Sequence, residues 1–367
     1  MNELTALTQQ VLGIFFVISL VLGVISQRTH FCTMGAVSDV VNMGDWTRAR
    51  QWMLAVGVAM VGFAALSHTG QIDASKTLYA GSRFLWLSAI VGGVMFGYGM
   101  VMASGCGNKT LVRIGGGNLK SLVVFVVMGI SAFATLKGIT AVVRVNTVDA
   151  LALNMPHGAH LGALFASVLG TTPGDAAIGL GYGLGALLIV AVLRHADFWS
   201  LENVLAGMGV GAIIVTVWWV SGHMGFVAEH PETLESVYVA TASGRMEALT
   251  FVAPVAHSLD WLMFFSDTSK VLTVGVVSVA GVICGAALSA WFSQSFRWEG
   301  FASTDDLANH LIGSVLMGVG GVTAMGCTFG QGLSGVSTLS LNAFVAIAAI
   351  IFGAVLALRR QAALLDI

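Results

Sequence analysis

Long apolar runs alternate with short polar, glycine-containing segments along this chain. Uncharged or nearly uncharged stretches occupy residues 11–27, 51–67, 84–104, 119–137, 174–193, 201–221, 271–292, 310–325 and 340–358. Runs of this length without strict alternation predict buried helices rather than strands. About nine membrane-spanning helices follow, several at or below the ~17 to 25 residues that cross a bilayer, so some are expected to be short, tilted or broken inside the protein.

Composition fixes the class. Of 367 residues, 56% are hydrophobic and 9% charged, against roughly 25% charged in a soluble domain, which excludes a water-soluble fold. Beside 4 prolines stand 46 glycines, the signature of closely packed membrane helices. The fold class is therefore an all-α polytopic membrane protein with short re-entrant or half helices. A net charge of -2 without a basic run excludes a nucleic-acid partner, which needs a cationic surface. Met1 to Gln10 carries Glu3 and neither Lys nor Arg, so the first apolar run is expected to be retained rather than cleaved as a signal peptide. Cys32, Cys106, Cys284 and Cys327 lie 74, 178 and 43 residues apart, which offers no zinc or haem spacing; no metal or cofactor is expected.

An odd number of spans places the termini on opposite sides. Arg28, Arg48, Arg50, Lys109, Arg113, Lys120, Arg194, Arg297, Arg359 and Arg360 fall on one side, and Lys76, Arg83, Lys137, Arg144, Arg245 and Lys270 on the other. The richer side is cytoplasmic by the positive-inside rule, giving a periplasmic N-terminus and a cytoplasmic C-terminus.

An internal repeat carries more information. A shift of 221 residues superposes Gly92, Gly97, Gly99, Val101, Ala103, Gly105 and Cys106 on Gly313, Gly318, Gly320, Val322, Ala324, Gly326 and Cys327, and Ala64 to Ser67 match Ala286 to Ser289 at a shift of 222. Residues 1–140 then form a first repeat (spans one to four) and 201–367 a second (spans six to nine), with 141–200 supplying an outer loop and a connector span. One intervening span inverts the second copy, as in transporters whose substrate site lies where the copies meet.

Each copy breaks at its cysteine, at Gly105-Cys106-Gly107-Asn108-Lys109-Thr110 and at Gly326-Cys327-Thr328-Phe329-Gly330-Gln331. A new helix starting at such a break directs unpaired N–H groups inward, a setting for an anion. Equivalent placement beside glycine favours a functional role for Cys106 and Cys327, whereas Cys284, in mid-span, reads as packing. A third thiol lies in Gln27-Arg28-Thr29-His30-Phe31-Cys32. Arg28, Lys109 and Arg113 are candidates to draw an anion inward; Asn108, Lys109, Thr110, Gln331 and Ser334 are candidates to bind its oxygens. Gly115-Gly116-Gly117 lacks the context of a phosphate loop, His157 and His160 read as loop residues rather than metal ligands, and Glu229, Glu232 and Glu235 as a solvated acidic loop.

At these residues the chain resembles the YeeE/YedE family of bacterial inner-membrane sulfur-transport proteins. The resemblance rests on Gln27 to Cys32 with Gly35, Gly105-Cys106-Gly107 with Arg113 and Gly115, Trp218 to Gly222, Leu249 to Pro254, and Gly326-Cys327-Thr328 with Gly330-Gln331-Gly332. It implies a path lined by Cys32, Cys106 and Cys327 in an hourglass-shaped transporter, and a soluble TusA-like sulfurtransferase partner, called YeeD in some members. Thiosulfate import is the function so implied. A membrane sulfurtransferase forming a cysteine persulfide, and a carrier of another sulfur or selenium anion, are the rival readings.

Overall fold

Backbone polar groups in lipid must be satisfied within their own segment, which leaves an apolar run only the helix. The computed structural model describes residues 2–230, 234–267 and 269–365; Glu232 lies outside them. In chain order the helices are α1 (Asn2–Thr29), α2 (Thr33–Met43), α3 (Thr47–His68), α4 (Trp86–Met102), α5 (Gly107–Gly115), α6 (Leu119–Lys137), α7 (Ile139–Asn146), α8 (Leu161–Leu169), α9 (Pro173–Leu193), α10 (Leu201–Val204), α11 (Val210–Trp219), α12 (Val252–Met263), α13 (Val274–Phe292), α14 (Thr304–Thr323) and α15 (Leu341–Leu365). A π-turn at Leu205–Gly209 joins α10 to α11 and another, Val220–Met224, prolongs α11. A third, Gly330–Gly335, lies inside a short helix at 328–337. Two antiparallel ladders, Arg83–Phe84 with Leu153–Asn154 and Phe226–Val227 with Val237–Tyr238, pin the connecting loops.

Eight of these helical units, two of them including the short helices α2 and α5, are long and apolar enough to cross a membrane. The ninth expected run, 310–325, falls in α14, which has 20 residues but carries Asp305, Asp306, Asn309 and His310 in its first half. That polar half keeps α14 below the apolarity of the other eight, although the helix packs along α4 and α6.

Glycines at the α4–α14 crossing bring the two backbones together. A Cβ on Gly92 would lie 2.7 Å from the Gly320 carbonyl oxygen, and one on Gly320 would lie 2.6 Å from that of Gly92. Gly99 and Gly313 repeat the relation at 2.6 and 2.7 Å. Because Gly313 and Gly320 are Gly92 and Gly99 displaced by 221 residues, the antiparallel crossing maps onto itself, as it does across a two-fold axis. The flanking helices follow: a Cβ on Gly97 would meet the Ala354 nitrogen at 3.0 Å, and one on Gly318 the Ala132 nitrogen at 2.9 Å. Small residues permit such approach where lipid supplies no hydrophobic drive for helix association.

Candidate functional site

Both repeat helices end in the same way. Ser104 and Met325, with φ of 57° and 59°, take the left-handed conformation. Gly105 N–H then donates to the Met100 carbonyl and Ser104 N–H to that of Val101, while Gly326 N–H donates to the Gly321 carbonyl and Met325 N–H to that of Val322. This double bond pattern satisfies carbonyls that a helix terminus otherwise leaves open. The left-handed residue is thus the one before the glycine, and the cysteine follows two positions after it. After α1 only the left-handed residue recurs: His30 has φ of 52° and Cys32 stands two residues on.

Each cysteine then starts a short helix. The carbonyls of Cys32, Cys106 and Cys327 accept from Ala36, Thr110 and Gln331 N–H at 2.9, 2.9 and 2.8 Å. Their thiols occupy N-cap positions, where unpaired N–H groups and the helix dipole favour negative charge. Cys32 Sγ accepts from Gly35 N–H at 3.5 Å, whereas the Cys106 side chain makes no such capping bond.

The three short helices bring these thiols into one row. The Cys32 and Cys106 thiols lie side by side, and Thr328, next in the chain to Cys327, lies beside the Cys106 thiol. Thr250 Oγ1 lies 3.7 Å from Cys327 Sγ. All three thiols are buried, whereas Cys284 is exposed on α13, contrary to the packing role expected of it. Aromatic rings enclose the row: Phe329 meets Phe31, Trp52 and Phe251 edge-on at centroid distances of 5.9, 5.9 and 5.3 Å, and Phe31 stacks on Trp52 at 5.2 Å.

The two ends of the row differ. Beyond Cys327, the buried Tyr79 donates to the Gly330 carbonyl at 2.6 Å, and above it opens a cavity of about 890 Å³ lined by Lys76, Tyr79, His157, His160 and Ser337, among others. The cavity stops at this floor, and no thiol lines it. At the Cys32 end, Lys109 lies within electrostatic reach of Cys32, Cys106, Arg113 and Arg48, and His30 within reach of Lys109 and Arg48. Arg48, which the sequence offered only as one of the basic residues on the cytoplasmic side, pairs with the buried Asp39 and passes over Gly35, where any side chain would collide with its guanidinium. Arg113 donates to the Ser104 carbonyl at 2.9 Å, bracing the break. Arg28 is exposed at the end of α1.

Several candidate oxygen ligands have backbone partners. Thr110 donates to the Cys106 carbonyl at 3.1 Å, Ser334 to that of Leu249 at 2.9 Å, and the Gln331 amide to that of Ala324 at 2.6 Å. Asn108 donates to Ser26 Oγ at 3.3 Å. No sequence motif pointed to Tyr79 or Trp52, and Thr250 entered only within the Leu249 to Pro254 segment of the resemblance. His160 caps α8, its Nδ1 accepting from Ala163 N–H at 3.2 Å. Among the described residues no group of three or more His, Cys, Asp or Glu is placed to hold a metal ion.

The sequence model of the family described as Sulphur transport matches residues 28–356, a stretch that includes all three thiols. The chain belongs to the Sulphur transport family. It is similar to the thiosulfate transporter TsuA of Escherichia coli strain K12, at 26% identity over 90% of this chain and 89% of that protein. It is also similar to the thiosulfate transporter TsuA of Spirochaeta thermophila, at 25% over 88% and 91%. A shorter match, 27% identical over 30% of this chain and 26% of the relative, is to the probable transporter YedE of Escherichia coli. These YeeE/YedE-type relatives agree with the resemblance carried by the cysteine motifs. The family and the apolar helices make the chain a multi-pass membrane transporter of sulfur compounds.

Proposed function

We propose that this chain imports thiosulfate across the bacterial inner membrane, passing it from the 890 Å³ vestibule along Cys327, Cys106 and Cys32 to a basic mouth on the cytoplasmic side. What supports the reading is the clustering of the three cysteines: each opens a short helix, Cys32 and Cys106 lie side by side, and Thr328, the neighbour of Cys327 in the chain, lies beside the Cys106 thiol. A bare dianion in an apolar interior costs tens of kcal/mol, so the path must replace its water without holding it in one deep well. N-cap N–H groups and weak S–H donors offer three shallow steps, the sulfhydryls matching the soft terminal sulfur. Residues 1–140 and 201–367 act as the inverted halves, with α9 as connector. The excess of Lys and Arg on one side supports a periplasmic N-terminus and cytoplasmic C-terminus.

Lys109 and Arg113 assist arrival at the inner mouth, with Arg28 at its rim. Asn108, Thr110, Gln331 and Ser334 hold the breaks that set the thiols. A TusA-like sulfurtransferase, implied by the family resemblance, receives the anion in the cytoplasm. Uptake of radiolabelled thiosulfate into liposomes containing only this protein tests the proposal. Cys106→Ser and Cys327→Ser are each expected to reduce uptake at least tenfold; undiminished uptake by folded variants removes the thiols from the path. A one-sulfur mass increase on Cys32 after thiosulfate exposure, without uptake, transfers the reading to a sulfurtransferase.

A further inference from the structure

We propose that the hydroxyls of Thr33 and Thr328 form an oxygen-binding subsite beside the thiols, taking the sulfonate end of a sulfur oxyanion while the sulfhydryls take its terminal sulfur. The inference rests on the transport reading and adds to it the half of the substrate that the thiols do not recognise.

Hydrogen-bond accounting leads here. Buried polar groups are nearly always paired, and an unpaired one calls for a reason. Around the thiol row, Thr110, Gln331, Ser334 and Asn108 donate to protein acceptors. Thr33 and Thr328, 5% and 0% exposed, have no such partner at their hydroxyls. Other buried threonines of this protein, Thr29, Thr135 and Thr323, return their hydroxyl to the carbonyl four residues back. Thr33 and Thr328 are the first residues of their short helices, so no carbonyl of the same helix lies four positions behind them, and the hydroxyl has no partner.

Position makes the two alike. Each follows its N-cap cysteine directly, as Cys32-Thr33 and Cys327-Thr328, whereas Cys106 is followed by Gly107. Thr328 lies beside the Cys106 thiol, and its unpartnered hydroxyl is thereby near the meeting point of the two repeats. A third donor without a partner, the Trp52 indole N–H, belongs to a ring packed on Phe31 and Phe329, which flank the two Cys-Thr pairs. Hydroxyls donate well to sulfonate oxygens and thiols poorly, so the pairing divides the ligand chemically: sulfur to sulfur, oxygen to hydroxyl.

Liposome uptake kinetics of the full chain test this with two substitutions of Thr328 and one competitor. Thr328→Val keeps the branched shape and removes the donor; it is expected to raise KM for thiosulfate about tenfold or more, the scale of a buried hydrogen bond to a charged group. Thr328→Ser is expected to stay within about twofold of the parent. Hydrosulfide, which has no oxygens, is expected to inhibit the parent and Thr328→Val equally. An unchanged KM in Thr328→Val overturns the subsite, as does an equal loss for thiosulfate and hydrosulfide, which marks displaced thiols. Absence of uptake by the parent overturns the transport reading instead, and the subsite with it. Should Thr328→Val fail to assemble, Thr33→Val carries the same expectation at the other pair.

Discussion

Substituting Gly99 and Gly313 with alanine, singly and together, tests the self-mapping crossing on which the alignment of the thiols depends. A Cβ on Gly99 would approach the Gly313 oxygen to 2.6 Å, and one on Gly313 the Gly99 oxygen to 2.7 Å. Carbon and oxygen settle at ~3.3 to 3.6 Å, so α4 and α14 must part by ~0.7 to 1 Å. A gap of that size forfeits a quarter to a half of the dispersion energy between facing atoms, and overpacking of this kind costs about 1–3 kcal/mol. Since one separation admits both methyl groups, the double variant is expected to cost little more than either single one, a coupling of about 1 kcal/mol or more between residues 214 positions apart in sequence. The assay is reversible unfolding in mixed micelles under increasing dodecyl sulfate, with Gly13→Ala as control, since nothing lies within 4 Å of a Cβ built there. Costs that simply add, or single variants as stable as the control, refute the crossing as drawn.

Two further outcomes follow from the ends of the row. Burial holds the His160 imidazole below its ordinary value of 6.5, and its Nδ1 caps α8 only when unprotonated; the folded state therefore binds the proton less readily, and the stability that neutral His160 contributes is present above 6.5 and lost as pH falls below it. Melting curves between about pH 7.5 and 5.5 should show the parent losing Tm more steeply than His160→Asn, and parallel curves count against the cap. At the inner mouth, Lys109→Gln should raise the KM for thiosulfate uptake more than Arg28→Gln, because Lys109 reaches Cys32 and Cys106 while Arg28 is exposed; equal effects count against a local role for Lys109.

What the sequence discloses depends on how local its cause is. Helix α6 occupies the span read from its apolar run, 119–137, because that run ends at polar residues that cannot continue into lipid. The repeat was legible because backbone contact at the α4–α14 crossing forces glycine on both copies at once. The third member of the thiol row was less legible as part of a pattern. Residue, spacer and cysteine are Ser104-Gly105-Cys106 and Met325-Gly326-Cys327 in the repeats but His30-Phe31-Cys32 after α1, so the spacer glycine that marked the first two is absent. All three nonetheless share a left-handed residue two positions before the cysteine. The roles of polar side chains were least legible. Whether Thr110 or Ser334 faces a path or a carbonyl depends on which backbone oxygens the breaks leave open, and those depend on neighbouring segments, Leu249 among them. Arg48 illustrates the same limit: a left-handed turn at Gly44 folds α3 back on α2, and only that turn sets the guanidinium on Asp39 and over the helix that Cys32 begins. Helix termination thus does the chemical placement. Where a helix ends in a left-handed residue and restarts two positions later, the residue at the restart stands at a helix N-cap beside unpaired N–H groups, and placing cysteine there three times is what gathers the three thiols.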